Sequence, residues 1–390
     1  MLDPVSLTAV PVDALYVHIP FCFHKCHYCD FYSITRQTPE RMSRFVDLIL
    51  AEANLWRTHA IAPSTLFFGG GTPSLLPFDA MDRLLAGLAD AFDLSRAVEF
   101  TIEVNPATTD LAYLQMLRAR AVNRLSFGAQ SFHPDDLKIL ERHHDPDDVE
   151  RSVELARKAG FERINLDLIY AVPGQSLDRW NDNLTRALAM GTTHLSCYAL
   201  TYEEGTAMTV RKRLGQFQPA PEDLELHMLR HTRDVLSRRG LPAYEISNHA
   251  APGQECLHNL AYWRGLNYIG LGPSAASHLA GMRFKNLPHL GEWEQAVAHG
   301  QLPAADIETL TPGHRCAELI MLGLRLTQGV DLRHTRQITG VTPEIAFANV
   351  ADPLVRQKLM IATATHWSLT PRGIEVADGI AAQFLSATDA

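Results

Sequence analysis

Short apolar, β-rich segments alternate with longer amphipathic ones along the first half of the chain. Leu15-Tyr16-Val17-His18-Ile19 reads as a strand, and the periodicity of residues 41–56 reads as a helix. Further strands are predicted at 65–68, 98–104, 124–127, 164–170 and 194–200, with helices such as 152–159 and 177–190 between them. Strands separated by helices of this length need crossover connections, and so a parallel sheet. Six such units predict an α/β fold, a partial (β/α)6 barrel of TIM-like form rather than a closed barrel of eight. Active sites of such barrels lie at the C-terminal strand ends. A cysteine loop, a glycine loop, Glu103, Gln130 and Asp167 all fall at or near those ends.

The pattern changes after Leu287. Residues 316–326 are strongly helical, and a last helix is expected to begin at Leu369-Thr370-Pro371 and run through Phe384. The prediction is a core over 1–287 and a small helical or winged-helix-like domain over 288–390. With 35 basic against 44 acidic residues the net charge is −9, which argues against a chain built to hold a nucleic-acid backbone. Asp3, Pro4 and Asp13 interrupt any apolar run near the start, and no stretch reaches the ~18 apolar residues of a membrane span. A cytoplasmic location is the expectation.

Three of the six cysteines form Cys22-x3-Cys26-x2-Cys29; Cys197, Cys256 and Cys316 are scattered. A disulfide framework would be spread more evenly through a smaller chain. Three thiolates on one loop face one object, and soft ligands select iron–sulfur clusters or zinc. A Cys3His zinc site using His24 or His27 is the structural alternative, although such sites usually draw ligands from two separate knuckles. A cubane cluster with no fourth cysteine nearby keeps one iron open to a small molecule. Downstream, glycines in Gly69-Gly70-Gly71-Thr72 let backbone approach a ligand. Glu103 can accept hydrogen bonds from a ribose or amino group. Asp167 interrupts an apolar strand, where a charge is costly without a partner.

The cysteine motif, with Tyr28 before its last cysteine, resembles the signature of the radical S-adenosylmethionine (SAM) superfamily. Tyr16, Gly70, Gly71, Thr72, Glu103, Gln130, Arg142 and Asp167 match in order the SAM-binding positions of the oxygen-independent coproporphyrinogen oxidase family. Glu203-Glu204-Gly205-Thr206 and Gly323-Leu324-Arg325-Leu326 extend the likeness over nearly the whole chain. The resemblance implies a [4Fe-4S] cluster on Cys22, Cys26 and Cys29, SAM on its open iron, and formation of a 5′-deoxyadenosyl radical.

Within that family the oxidases carry another cysteine two residues after the third, where this chain has Phe31. The heme-chaperone branch carries H-N-x-x-Y-W, present here as His258-Asn259-Leu260-Ala261-Tyr262-Trp263. A histidine beside two large aromatics offers an imidazole to heme iron and an apolar wall to the porphyrin. Cys256, His249 and His278 are other candidate axial ligands. The resemblance therefore implies heme capture and transfer to apo-proteins, respiratory and membrane-associated ones among them; a homodimer would suit such transfer. Oxidative decarboxylation of coproporphyrinogen III and radical methylation of heme are the enzymatic alternatives.

Overall fold

The computed structural model describes residues 10–388 apart from Thr58 and Ala60. Six parallel strands follow one another in space as in sequence: β1 (Ala14–Ile19), β2 (Thr65–Gly70), β3 (Glu99–Val104), β4 (Arg124–Gln130), β5 (Arg163–Tyr170) and β6 (His194–Ala199). Helices such as Pro39–Leu55, Phe78–Ala91, Pro146–Lys158 and Leu177–Ala189 make the crossovers. This is the partial barrel the alternation predicts. It is extended at both edges: β7 (Asn248–Ala250) joins β6 antiparallel, and β8 (Tyr268–Leu271) joins β1 in parallel. Beyond β8 lie β9 (Ala276–Leu279), β10 (Met282–Asn286) and β11 (Ala304–Thr309), completing a sheet of eleven strands. These edge strands are three to six residues long, too short to give a clear period in the sequence.

Side chains on a strand alternate between faces. In β1, Leu15, Val17 and Ile19 are fully buried in the large core with Phe45, Val46 and Ile49 of the first helix. Their neighbours Tyr16 and His18 occupy the opposite face and line cavities. The same period places Glu103, Ser126, Asp167 and Ser196 together, because strand register pairs Glu103 with Ser126 and Asp167 with Ser196.

Leu290, Trp293 and Val297 belong to the large core, while Cys316, Ile320, Phe347, Trp367 and Phe384 form a second one. The pairing of β10 with β11 joins the last strand of the large sheet to the first core, and the second core begins with the helix that follows. The second core holds a three-stranded antiparallel sheet of β12 (Val330–Asp331), β13 (Met360–Ala362) and β14 (His366–Leu369) among helices. The last helix expected from Leu369 is a strand end followed by two helices, Pro371–Ile374 and Ala377–Ser386. Gly373, inside the first of them, packs tightly on its neighbour: a Cβ there would lie 1.9 Å from the Leu359 carbonyl oxygen.

Candidate functional site

The cysteine loop leaves β1 at Pro20 and is held at several points. The Cys22 amide donates to the Ile34 carbonyl (3.0 Å), the Cys29 amide to Cys26 (3.2 Å), and Met208 to His27 (2.8 Å). Cys22, Cys26 and Cys29 are free and half-buried, and all three line one cavity of ≈490 Å³ with Gly70, Gly71 and Thr72. Burial raises the Cys22 thiol and pushes that of Cys29 up to about 11. Gly71 is required on steric grounds, since a Cβ would come within 2.7 Å of Phe21 and Pro20 backbone atoms. Gly70 has φ 106°, and a Cβ there would strike the His18 ring.

Glu103, Gln130, Arg142 and Asp167 line the same cavity. Arg142 is not on a surface helix: it follows the Pro134–Leu140 helix and turns inward. Its guanidinium donates to the Gly128 carbonyl (2.5 Å), to Asn105 Oδ1, and to Cys26 Sγ at 3.7 Å. Asp167 has the partners its strand position demands, accepting from Ser126 Oγ (3.0 Å) and Asn165 Nδ2 (2.9 Å). Burial still raises its pKa against donors from Ser196, Asn165 and Ser126. Burial, and then the charge of Asp167, push Glu103 up to about 8. Two enclosed carboxyls facing a cavity are suited to hydroxyl and amino groups of a ligand.

Tyr16 stands apart from this groove. It lines a neighbouring cavity of ≈610 Å³ with Phe31, Tyr32, Tyr262, Tyr268, Lys25 and Lys285. Its hydroxyl pairs with His18 Nδ1 at 3.1 Å. A third, smaller cavity joins Tyr16, Glu103 and Asp167 to His258.

His258 lies on the helix Leu257–Trp263, whose N-terminus is capped by Glu99. Glu99 Oε2 accepts from the Leu257 amide and Oε1 from the His258 amide, both at 3.0 Å. Burial opposes its ionisation, but Arg124, those two amides and Arg163 outweigh it and lower its pKa. The His258 ring is 1% exposed, with Nδ1 paired to Thr65 Oγ1 (3.0 Å) and Nε2 to the Tyr262 hydroxyl (2.9 Å). Both ring nitrogens are thus engaged, so this conformation presents no nitrogen to an iron. Cys256 donates to Glu99 and burial pushes it up to about 12. His249 is buried, and both His278 nitrogens are engaged. Trp263 turns toward the C-terminal unit, under the Arg325 guanidinium at 4.7 Å.

Arg124, Asn105, Asn165 and Ser196 were not predicted as site residues, yet they hold the predicted ones in place. For Arg124, Asn165 and Ser196 the signal is polarity at every second position of β4, β5 and β6, a pattern an apolar period search passes over; Asn105 lies just past the end of β3.

Residues 16–187 match the radical SAM superfamily, and residues 310–376 the HemN C-terminal domain. Coproporphyrinogen III oxidase (HemN) from Escherichia coli, a radical SAM enzyme, superimposes with a TM-score of 0.83 at 24% identity, covering 98% of this chain and 92% of that one. That likeness establishes the shared fold. Heme chaperone HemW from Lactococcus lactis is 33% identical, over 96% of this chain and 97% of its own length. Heme chaperone HemW from Escherichia coli is 36% identical, over 94% and 96%. Full-length similarity at this level, on a barrel whose cysteine loop and glycine turn face one cavity, places the chain in the HemW family of radical SAM proteins.

Proposed function

We propose that this protein is a heme carrier that delivers heme to apo-proteins and retains a cluster-and-SAM site. The relatives named heme chaperone support this, and one observation of the structure carries it. The ≈610 Å³ cavity beside the cysteine loop has aromatic walls of Phe31, Tyr32, Tyr262 and Tyr268, with Lys25 and Lys285 among them. Flat apolar walls suit a porphyrin face, and two ammonium groups suit its propionates. Tyr262 brings the H-N-x-x-Y-W helix to this cavity, while His258 anchors that helix from behind.

In this reading Cys22, Cys26 and Cys29 hold a [4Fe-4S] cluster, and Gly70, Gly71, Thr72, Glu103, Gln130, Arg142 and Asp167 surround SAM. The donor set fits: three thiols on one loop, no fourth cysteine on the cavity wall, and a groove of glycines and polar groups beside them. Bound there, the cluster offers one open iron and a one-electron reductant for SAM. The chain's own groups position the ligands. Arg142 braces the loop, and Glu103 and Asp167 present carboxyls to the groove. Phe31 stands where the oxidases carry a cysteine, which favours a carrier over the decarboxylase.

The test is a heme titration of anaerobically reconstituted protein, followed by Soret absorbance, alongside Lys285→Glu. Saturable binding of one equivalent, weakened by the substitution, supports the reading. Weak, unsaturable binding overturns it, and coproporphyrinogen decarboxylation then becomes the assay to run.

A further inference from the structure

A group of side chains on the outer side of the cysteine loop has no part in the groove chemistry. Glu141 ends the Pro134–Leu140 helix in the left-handed region, φ 57° and ψ 47°, unfavourable for a residue with a Cβ. The turn brings its carboxylate to the cysteine loop. Glu141 Oε2 lies 3.3 Å from His24 Nε2 and also contacts His27 Nε2. The ring of His143 meets that of His24 edge-on, with centroids 4.7 Å apart. One ligand atom each from His24, Glu141 and His143 lies within 4.8 Å of the other two. His24 Nε2 is shielded from solvent and faces the Glu141 carboxylate, while His143 is exposed and leaves an approach from outside.

We propose that His24, Glu141 and His143 form a second metal site, for one divalent cation of the zinc class. Two imidazoles and one carboxylate suit zinc, cobalt, nickel or copper, whereas calcium and magnesium call for oxygen ligands throughout. Three protein ligands leave a fourth position for water or an exchangeable ligand. His27 completes the surroundings: its Nε2 rests on Glu141, and its Nδ1 faces Arg211 Nη1 at 2.9 Å. Such outer contacts orient a ligating carboxylate. His24 stands between Cys22 and Cys26 in the sequence, while Glu141 and His143 flank Arg142. A cation here would therefore tie the cysteine loop to the segment that supplies Arg142, bracing the loop from its solvent side. This inference does not depend on heme binding.

The experiment is a Co²⁺ titration of cluster-loaded protein, read by d–d absorption and competed with Zn²⁺. His143→Ala and Glu141→Gln are titrated alongside, with iron and sulfide content measured in each. One equivalent of Co²⁺ should bind without thiolate charge-transfer bands. Each substitution should weaken it by at least about 100-fold, the upper end of what loss of an outer contact costs, with cluster content unchanged. Unchanged binding in either variant overturns the site, as does absence of binding by the parent protein or a thiolate-type spectrum. Should His143→Ala lose its cluster, Glu141→Gln alone decides, since it keeps side-chain size and leaves both histidines in place.

Discussion

Arg142 Nη1 lies 3.7 Å from Cys26 Sγ, and the same guanidinium holds the Gly128 carbonyl at 2.5 Å. One side chain thus ties the cysteine loop to the end of β4. Hydrogen bonds from a charged donor contribute roughly 1.5–3 kcal/mol. Arg142→Ala should therefore weaken SAM binding by about 10- to 100-fold and lower the cluster yield. Equilibrium dialysis with reconstituted protein and iron analysis check both. An unchanged affinity would show that the arginine supports only the fold.

Glu99 caps the Leu257–Trp263 helix and pairs with Arg163 (2.7 Å), with the buried Arg124 charge nearby. Removing one member of a buried pair leaves the other charge uncompensated, a cost of about 3–5 kcal/mol. Glu99→Ala should lose that much in chemical denaturation. Its lowered pKa means the stabilisation is present above the ordinary carboxyl value of 4.5 and fades as pH falls below it. A Glu99→Gln variant should accordingly lose less on acidification than the parent.

His258→Ala should leave heme stoichiometry and the Soret band unchanged, because both ring nitrogens already have partners in Thr65 and Tyr262. Its effect should fall on stability, at about 1–3 kcal/mol, chiefly for the buried Thr65 hydroxyl left unpaired. A lost or shifted Soret band would show that the helix opens to release the imidazole.

Glu52 is buried on the first helix, accepting from the Gly272 amide (2.8 Å), Trp293 Nε1 (2.9 Å) and Asn286 Nδ2 (2.6 Å). Burial, opposed by those donors, pushes it up to about 7. Between its ordinary value of 4.5 and about 7 the folded chain holds more protons than the unfolded one. The stabilisation present below 4.5 should therefore be lost as pH rises through 7, on the order of 3 kcal/mol. Thermal midpoints measured across that range check the slope, and Glu52→Gln should flatten it.

The six-strand alternation and the cysteine spacing were legible because each is a strong local signal carried by neighbours in sequence. Arg142 was legible only as a resemblance: its inward turn depends on Glu141 adopting a left-handed conformation, which no periodicity reveals. The enclosure of His258 was invisible for a different reason. Its partner Thr65 lies 193 residues away, and only strand order brings β2 against that helix. The edge strands β8 to β11 were missed because strands this short carry no clear period.

Phe31 lines all three cavities, and its ring is 61% exposed. The cysteine-loop groove, the aromatic chamber and the small space beside His258 thus share one partition. A ligand that turns this ring out of one chamber alters the volume left in the next. Two ligands in neighbouring chambers would then be linked in free energy, and reciprocally: whatever the first does to the affinity for the second, the second does to the affinity for the first.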